Sequence, residues 1–154
     1  MRRLTTILVT AFLAGCAGRA ELWPNSDPTL RKTSAEFAAD AARRFPYKAD
    51  APRGGQAKAY AEAGYFLDRL DITNLSDTEW TDAEVWVNGS YVVYVPKLEP
   101  KKIKSLPFQA IYNEAGHSYP THTGSWYNPS PLMITKVELY RDGKLYDVPV
   151  RASE

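Results

Sequence analysis

Both histidines of the chain, His117 and His122, fall in one polar stretch, Asn113 to Ser130 (NEAGHSYPTHTGSWYNPS), with Glu114 close by. Imidazole and carboxylate together are ordinary metal ligands. The spacing, however, matches neither a helical His-Glu-x-x-His site nor a zinc-finger pattern, and a loop by itself fixes no coordination geometry. A nucleophilic triad can be written from Ser118 or Ser125, a histidine and Asp142. No Gly-x-Ser-x-Gly turn presents the serine, and no helix amino terminus offers an oxyanion site. There is no glycine-rich phosphate loop either. Neither a metal nor a cofactor is expected, and a hydrolase built on the 113–130 loop is a remote alternative.

Aromatic residues carry more information, with four Trp and ten Tyr in 154 residues. Tyr119, Trp126 and Tyr127 lie in the same polar loop, and Trp86 and Tyr91 lie on the less apolar face of a hairpin described below. Exposed aromatic rings stack on sugars or anchor protein interfaces, so these five residues form the candidate ligand or partner surface. The competing expectation is that Trp80 or Trp86 fills the centre of the fold while the loop aromatics cover its end. Lys97, Lys101, Lys102 and Lys104 have two readings as well. They can meet anionic headgroups or polysaccharide, or, with Pro96, Pro100 and Pro107, guard an edge strand against pairing with other chains.

The elements that position these groups read as strands after residue 57. Tyr65 to Thr73 (YFLDRLDIT) is the first candidate, with Phe66, Leu70 and Ile72 at even spacing and Leu67 opposite, followed by a turn at Asn74-Leu75-Ser76-Asp77. Ala83 to Val95 (AEVWVNGSYVVYV) holds Asn88-Gly89 between two β-rich runs, the signal of a two-residue turn with positive φ at both positions. With Val87 opposite Ser90, Val85 faces Val92 and Ala83 faces Tyr94, while Trp86 and Tyr91 pair on the other side. Thr135 to Val150 (TKVELYRDGKLYDVPV) repeats the device at Asp142-Gly143. There Leu139 faces Tyr146 and Val137 faces Val148, with Glu138 and Asp147 on the outside. Lys101 to Phe108 is a further strand that continues toward Tyr112. The pattern predicts a mainly β fold, a small antiparallel immunoglobulin-like β-sandwich over 57–154.

Residues 16–56 read as a tether, with Pro24, Pro28, Pro46, Pro52 and Gly54-Gly55. Within it Thr33 to Phe45 predicts a helix: Thr33 and Glu36 form a capping box, Arg43 and Arg44 complement the last turn, and Pro46 stops it. Ala38, Ala41, Ala42 and Phe45 share a face. That helix either docks on the sandwich or acts as a spacer, with docking favoured because Phe37 and Phe45 would otherwise meet water.

Ahead of the tether, Met1-Arg2-Arg3 is basic, Leu4 to Ala14 (LTTILVTAFLA) is apolar, and Cys16 follows as the sole cysteine. This is the three-part layout of a secretory signal, and the apolar run is too short for the roughly 20 residues a spanning helix requires. Leu13-Ala14-Gly15-Cys16 resembles the lipobox of bacterial lipoproteins at all four positions. The resemblance implies cleavage between Gly15 and Cys16, so that 1–15 is a signal peptide, and lipid on the Cys16 thiol and amino group. Two or three acyl chains at about 0.8 kcal/mol per buried methylene hold a protein at a membrane for good. In such lipoproteins Ala17 permits transport to the outer membrane. The stretch Leu70 to Val92 (LDITNLSDTEWTDAEVWVNGSYV) is similar to the front half of immunoglobulin-like domains in bacterial envelope lipoproteins, with Thr-Asn, then Trp, a Val-x-Val strand and an Asn-Gly turn. That likeness covers about 66–110 and implies no activity.

Charge narrows the partners. The formal net charge is +1, and without Arg2 and Arg3 of the leader 17 basic residues stand against 18 acidic ones. A near-neutral chain does not suit a nucleic-acid binder. The expectation is a non-catalytic, membrane-anchored envelope lipoprotein of the outer membrane, whose sandwich meets another envelope protein or lends structural support. A cell-wall or surface glycan-binding module is the alternative.

Overall fold

A computed structural model describes residues 33, 35, 41, 44–121 and 132–153. The 1–15 leader, Cys16, most of the helix expected over 33–45, and His122, Trp126 and Tyr127 lie outside these residues. Ten strands are described: β1 (Arg53–Gln56), β2 (Ala59–Gly64), β3 (Arg69–Asn74), β4 (Trp80–Val87), β5 (Tyr91–Leu98), β6 (Ile103–Pro107), β7 (Tyr112–Asn113), β8 (Val137–Arg141), β9 (Lys144–Val148) and β10 (Val150–Ser153). They form a six-stranded sheet, β1-β9-β8-β4-β5-β7, and a four-stranded sheet, β10-β2-β3-β6. Alternate residues of both sheets enter one core. Ala61, Leu70, Ile72 and Leu106 come from the smaller sheet, and Val85, Val87, Val95, Val137 and Leu139 from the larger. This is the expected mainly β sandwich, with consecutive hairpins in the larger sheet and the β2-β3-β6 arrangement facing it.

The sheets are mixed rather than purely antiparallel. β1 runs parallel to β9, and β10 runs parallel to β2. The cause is a shared corner: β9 passes into β10 across Pro149 while β1 passes into β2 across Ala57-Lys58, so two neighbouring segments change sheet side by side. Ala57 N–H donates to Asp147 O at 2.8 Å and Ala61 N–H to Pro149 O at 2.9 Å, which ties the corner together. The sheet therefore begins at Arg53, inside the stretch expected to be tether.

The second hairpin has the expected register, Val137 to Val148, Glu138 to Asp147 and Leu139 to Tyr146, around Asp142 and Gly143 at φ 50° and 73°. The first is shifted by one residue. Asn88 and Gly89 adopt φ of 51° and 66° as expected, but Ser90 is an extra loop residue, so Val87 pairs with Tyr91, Val85 with Val93 and Trp86 with Val92. The shift puts Tyr91 on the core side with Val85 and Val87, and leaves Trp86 on the outer side; a one-residue slip exchanges faces in this way.

The expected first strand starts later than its apolar pattern suggests. Tyr65–Leu67 is a turn of 3-10 helix, Asp68 has φ 49°, and Phe66 is 80% exposed. The strand actually preceding β3 is β2 (AYAEAG), with Ala59, Ala61 and Ala63 buried. Alanine has weak strand preference, and here pairing with β3 on one side and β10 on the other imposes the extended form. β6 occupies a sheet edge and ends at Pro107, in keeping with the edge-guarding reading.

Candidate functional site

Two places gather polar and aromatic side chains. The first is the outer face of the six-stranded sheet. Residues 44–52 cross it as a strap over β5, β4, β8 and β9 before turning into β1. Beneath them Trp86, Val92 and Leu145 form a second apolar cluster, packed by Phe45, Tyr47, Ala51 and Tyr140. The Trp86 ring meets Phe45 edge-on at 5.9 Å and Tyr47 at 5.0 Å. An aromatic side chain of this size removes roughly 150–250 Å² from water, on the order of 4–6 kcal/mol before opposing terms.

Two carboxylates are buried under the same strap. Glu138 is fully buried and accepts from Tyr47 Oη at 2.5 Å and Arg53 Nη1 at 2.5 Å, with Lys136 Nζ at 2.7 Å. Burial pushes its carboxyl up, but the hydrogen bonds from Lys136, Tyr47 and Arg53 outweigh that and hold it below the usual carboxylate range. Burial and the Glu138 hydrogen bond raise the Tyr47 phenol. Glu84 pairs with Lys48 Nζ at 2.6 Å and accepts from Trp86 Nε1 at 3.2 Å. Lys48 also lies 4.7 Å from the Tyr140 ring centre. Alternation places Glu84 and Glu138 on the outside, as the sequence indicates; the strap then takes that outside away from water. The arrangement fastens a segment. It supplies no open cleft for substrate.

The second place is a groove of about 390 Å³ lined by Gln56, Lys58, Ser76, Thr78, Arg141 and Tyr146, among others, with Trp80 at its base. Three separate stretches of chain build it. The β3–β4 wall is fixed by Asn74, which is fully buried: its Nδ2 donates to Thr78 O at 2.8 Å and Leu98 O at 3.0 Å, and its Oδ1 accepts from Ser76 N–H at 2.9 Å. Opposite, the Arg141 guanidinium lies 4.6 Å from the Trp80 ring centre and 5.7 Å from that of Tyr146. Gly54 makes room for Tyr146, since a Cβ there would fall 2.2 Å from the ring.

The aromatic residues singled out from the sequence do not share a surface. Trp86 is 1% exposed beneath the strap. Tyr119 is also 1% exposed; it packs on Phe108 at 4.9 Å and Tyr91 at 5.0 Å and donates its hydroxyl to Leu132 O. Burial carries the Tyr119 phenol well above its usual range. Tyr91 is half-buried against the same core. These three are therefore packing residues, because the shifted hairpin register turns Tyr91 inward and the strap covers Trp86. His117 and Glu114 are exposed in a tight turn closed by His117 N–H to Asn113 Oδ1 at 2.8 Å. Among the described residues no three His, Cys, Asp or Glu side chains are placed to hold a metal ion.

The lysine cluster is matched by acids. Lys97 meets Glu79 at 2.7 Å, Lys101 meets Asp77 at 3.2 Å, and Lys102 pairs with Glu99. Glu79 raises the Lys97 ammonium, and Lys102 lowers the Glu99 carboxyl. The strap and the groove both escaped sequence reasoning; the one available signal was Glu84 and Glu138 set among apolar neighbours in central strands.

The fold and these sites define a mainly β sandwich of two mixed sheets with a strapped outer face and a small groove beside Arg141 and Lys58. Compared with known proteins, the chain matches no family model, no curated protein and no solved structure.

Proposed function

We propose that this chain is a non-catalytic lipoprotein of the bacterial envelope, anchored in the outer membrane through lipid on Cys16, whose sandwich contacts another envelope protein or lends structural support. The observation that carries this reading is Leu13-Ala14-Gly15-Cys16 directly after a basic and apolar leader. The strap adds mechanical sense to it. A chain arriving from position 16 is gripped by Trp86, Glu84 and Glu138 before it enters the sheet, so load on the anchor meets a packed joint.

The test is metabolic labelling with a labelled fatty acid in cells making the full chain and its Cys16→Ala variant. Label on the first and none on the second is expected. An unlabelled chain, or a mature form retaining residues upstream of Cys16, overturns the anchor. Crosslinking in native envelopes, followed by sizing in mild detergent, tests the protein contact.

A second reading, a glycan-binding module, is favoured by one feature: the groove combines hydroxyl groups, an amide and cations beside the Tyr146 ring in the volume range of small-ligand sites, about 300–1,000 Å³.

A further inference from the structure

The cations of this groove are under-matched. The carboxylate that Arg141 meets among the described residues is Asp142's, at 3.4 Å, and the Asp142 side chain is 74% exposed. That contact engages one of five guanidinium donors. Lys58 is exposed and meets no carboxylate among the described residues. The one acid in the lining, Asp77, is 93% exposed and already faces Lys101 at 3.2 Å. The groove thus carries a positive excess.

Its geometry selects the anion. The Arg141 guanidinium lies over the Trp80 ring at 4.6 Å and the Tyr146 ring at 5.7 Å; cation–π contact of this kind uses no N–H donor along the planar fork, which matches a carboxylate. Around it stand the Gln56 amide and the hydroxyls of Ser76 and Thr78, groups suited to a polyhydroxylated ring. The wall is set in advance by the Asn74 hydrogen bonds, so little ordering cost remains for binding. The volume of about 390 Å³ suits a sugar unit or two.

We propose that this groove binds an acidic saccharide, with a sugar carboxylate on Arg141 and Lys58 and hydroxyls on the Gln56, Ser76 and Thr78 rim. The inference rests on the glycan-binding reading and is independent of the lipid anchor.

The experiment titrates the full chain in mild detergent with a uronic-acid trisaccharide, a neutral glucose trisaccharide and an acidic tripeptide, followed by calorimetry. Uronate binding at least about tenfold tighter than the neutral sugar is expected, weakening as salt rises. Arg141→Lys keeps the charge and loses the fork and the stack; about tenfold weaker uronate binding is expected. Lys58→Glu, at an exposed position, reverses a charge without touching the core, and should weaken binding by at least as much at an unchanged melting temperature. Equal binding of the neutral sugar overturns the carboxylate assignment while keeping the glycan reading. Binding of neither sugar at about 10 mM overturns both. Tighter binding of the tripeptide, or uronate binding unaltered in both variants, overturns the proposal.

Discussion

Replacing Glu138 by Gln removes one negative charge from beneath the strap and keeps the side chain's size. Glu138 is fully buried and receives Tyr47, Arg53 and Lys136 at 2.5, 2.5 and 2.7 Å. A hydrogen bond involving a charged group contributes about 1.5–3 kcal/mol. The Arg53 and Lys136 side chains are each 48% exposed, so they rehydrate when the charge is gone, and Tyr47 keeps a neutral acceptor. A net loss of about 2 kcal/mol follows, below the 3–5 kcal/mol typical of breaking a fully buried pair. The pH sign is fixed by the lowered native carboxyl: its stabilisation is present above the unfolded value near 4.5 and is lost as pH falls through the native value. Urea titrations of wild type and E138Q should therefore differ by about 2 kcal/mol at neutral pH and converge well below about pH 4. A gap under about 0.5 kcal/mol at neutral pH, or one that persists unchanged in acid, would refute the charge argument.

Trp86→Ala should cost about 3–5 kcal/mol and speed amide exchange through 45–51 more than through β3; retained protection in the strap would contradict its dependence on Trp86. Asn88→Gly keeps the positive φ but removes the acceptor Oδ1 to which the Thr135 and Lys136 N–H groups donate, so a loss of about 1–2 kcal/mol and faster exchange at those two amides are expected by hydrogen exchange. Asn74→Ala removes the bonds to the Thr78 and Leu98 carbonyls, of which Thr78 O keeps the Ser76 hydroxyl, and should cost about 1–3 kcal/mol in urea unfolding, with a change in Trp80 fluorescence as the groove wall loosens.

What could be read in advance follows the range of the forces involved. Asp142-Gly143 fixes its hairpin through backbone conformation over four residues, and the register came out residue for residue. Asn88-Gly89 fixes its turn equally well, yet pairing slips by one because Asn88 is committed elsewhere: its amide donates to Lys136 O at 2.9 Å and its side chain to Met133 O at 2.8 Å. Local sequence carries no trace of that distant segment. β2 was hidden for a related reason, since AYAEAG becomes a strand through its neighbours rather than through preference.

The candidate sites were harder still, because each joins residues far apart in sequence. Glu138 reaches Tyr47 across 91 positions and Arg53 across 85, and period-two alternation reports a face without reporting what covers it. Glu84 and Glu138 sit where solvent belongs by alternation, and their burial is explained only when the proline-bearing tether is laid across them. A proline-rich composition marks a segment without regular hydrogen bonding, and says nothing of whether its side chains find partners. Here Phe45, Tyr47 and Lys48 do, and the same stretch that reads as a spacer becomes the outer wall of the larger sheet. The consequence for function is direct: with Trp86 enclosed by that wall and Tyr119 closing the core, neither ring meets a ligand, and the groove beside Arg141 is where an aromatic ring, hydroxyls and cations come together.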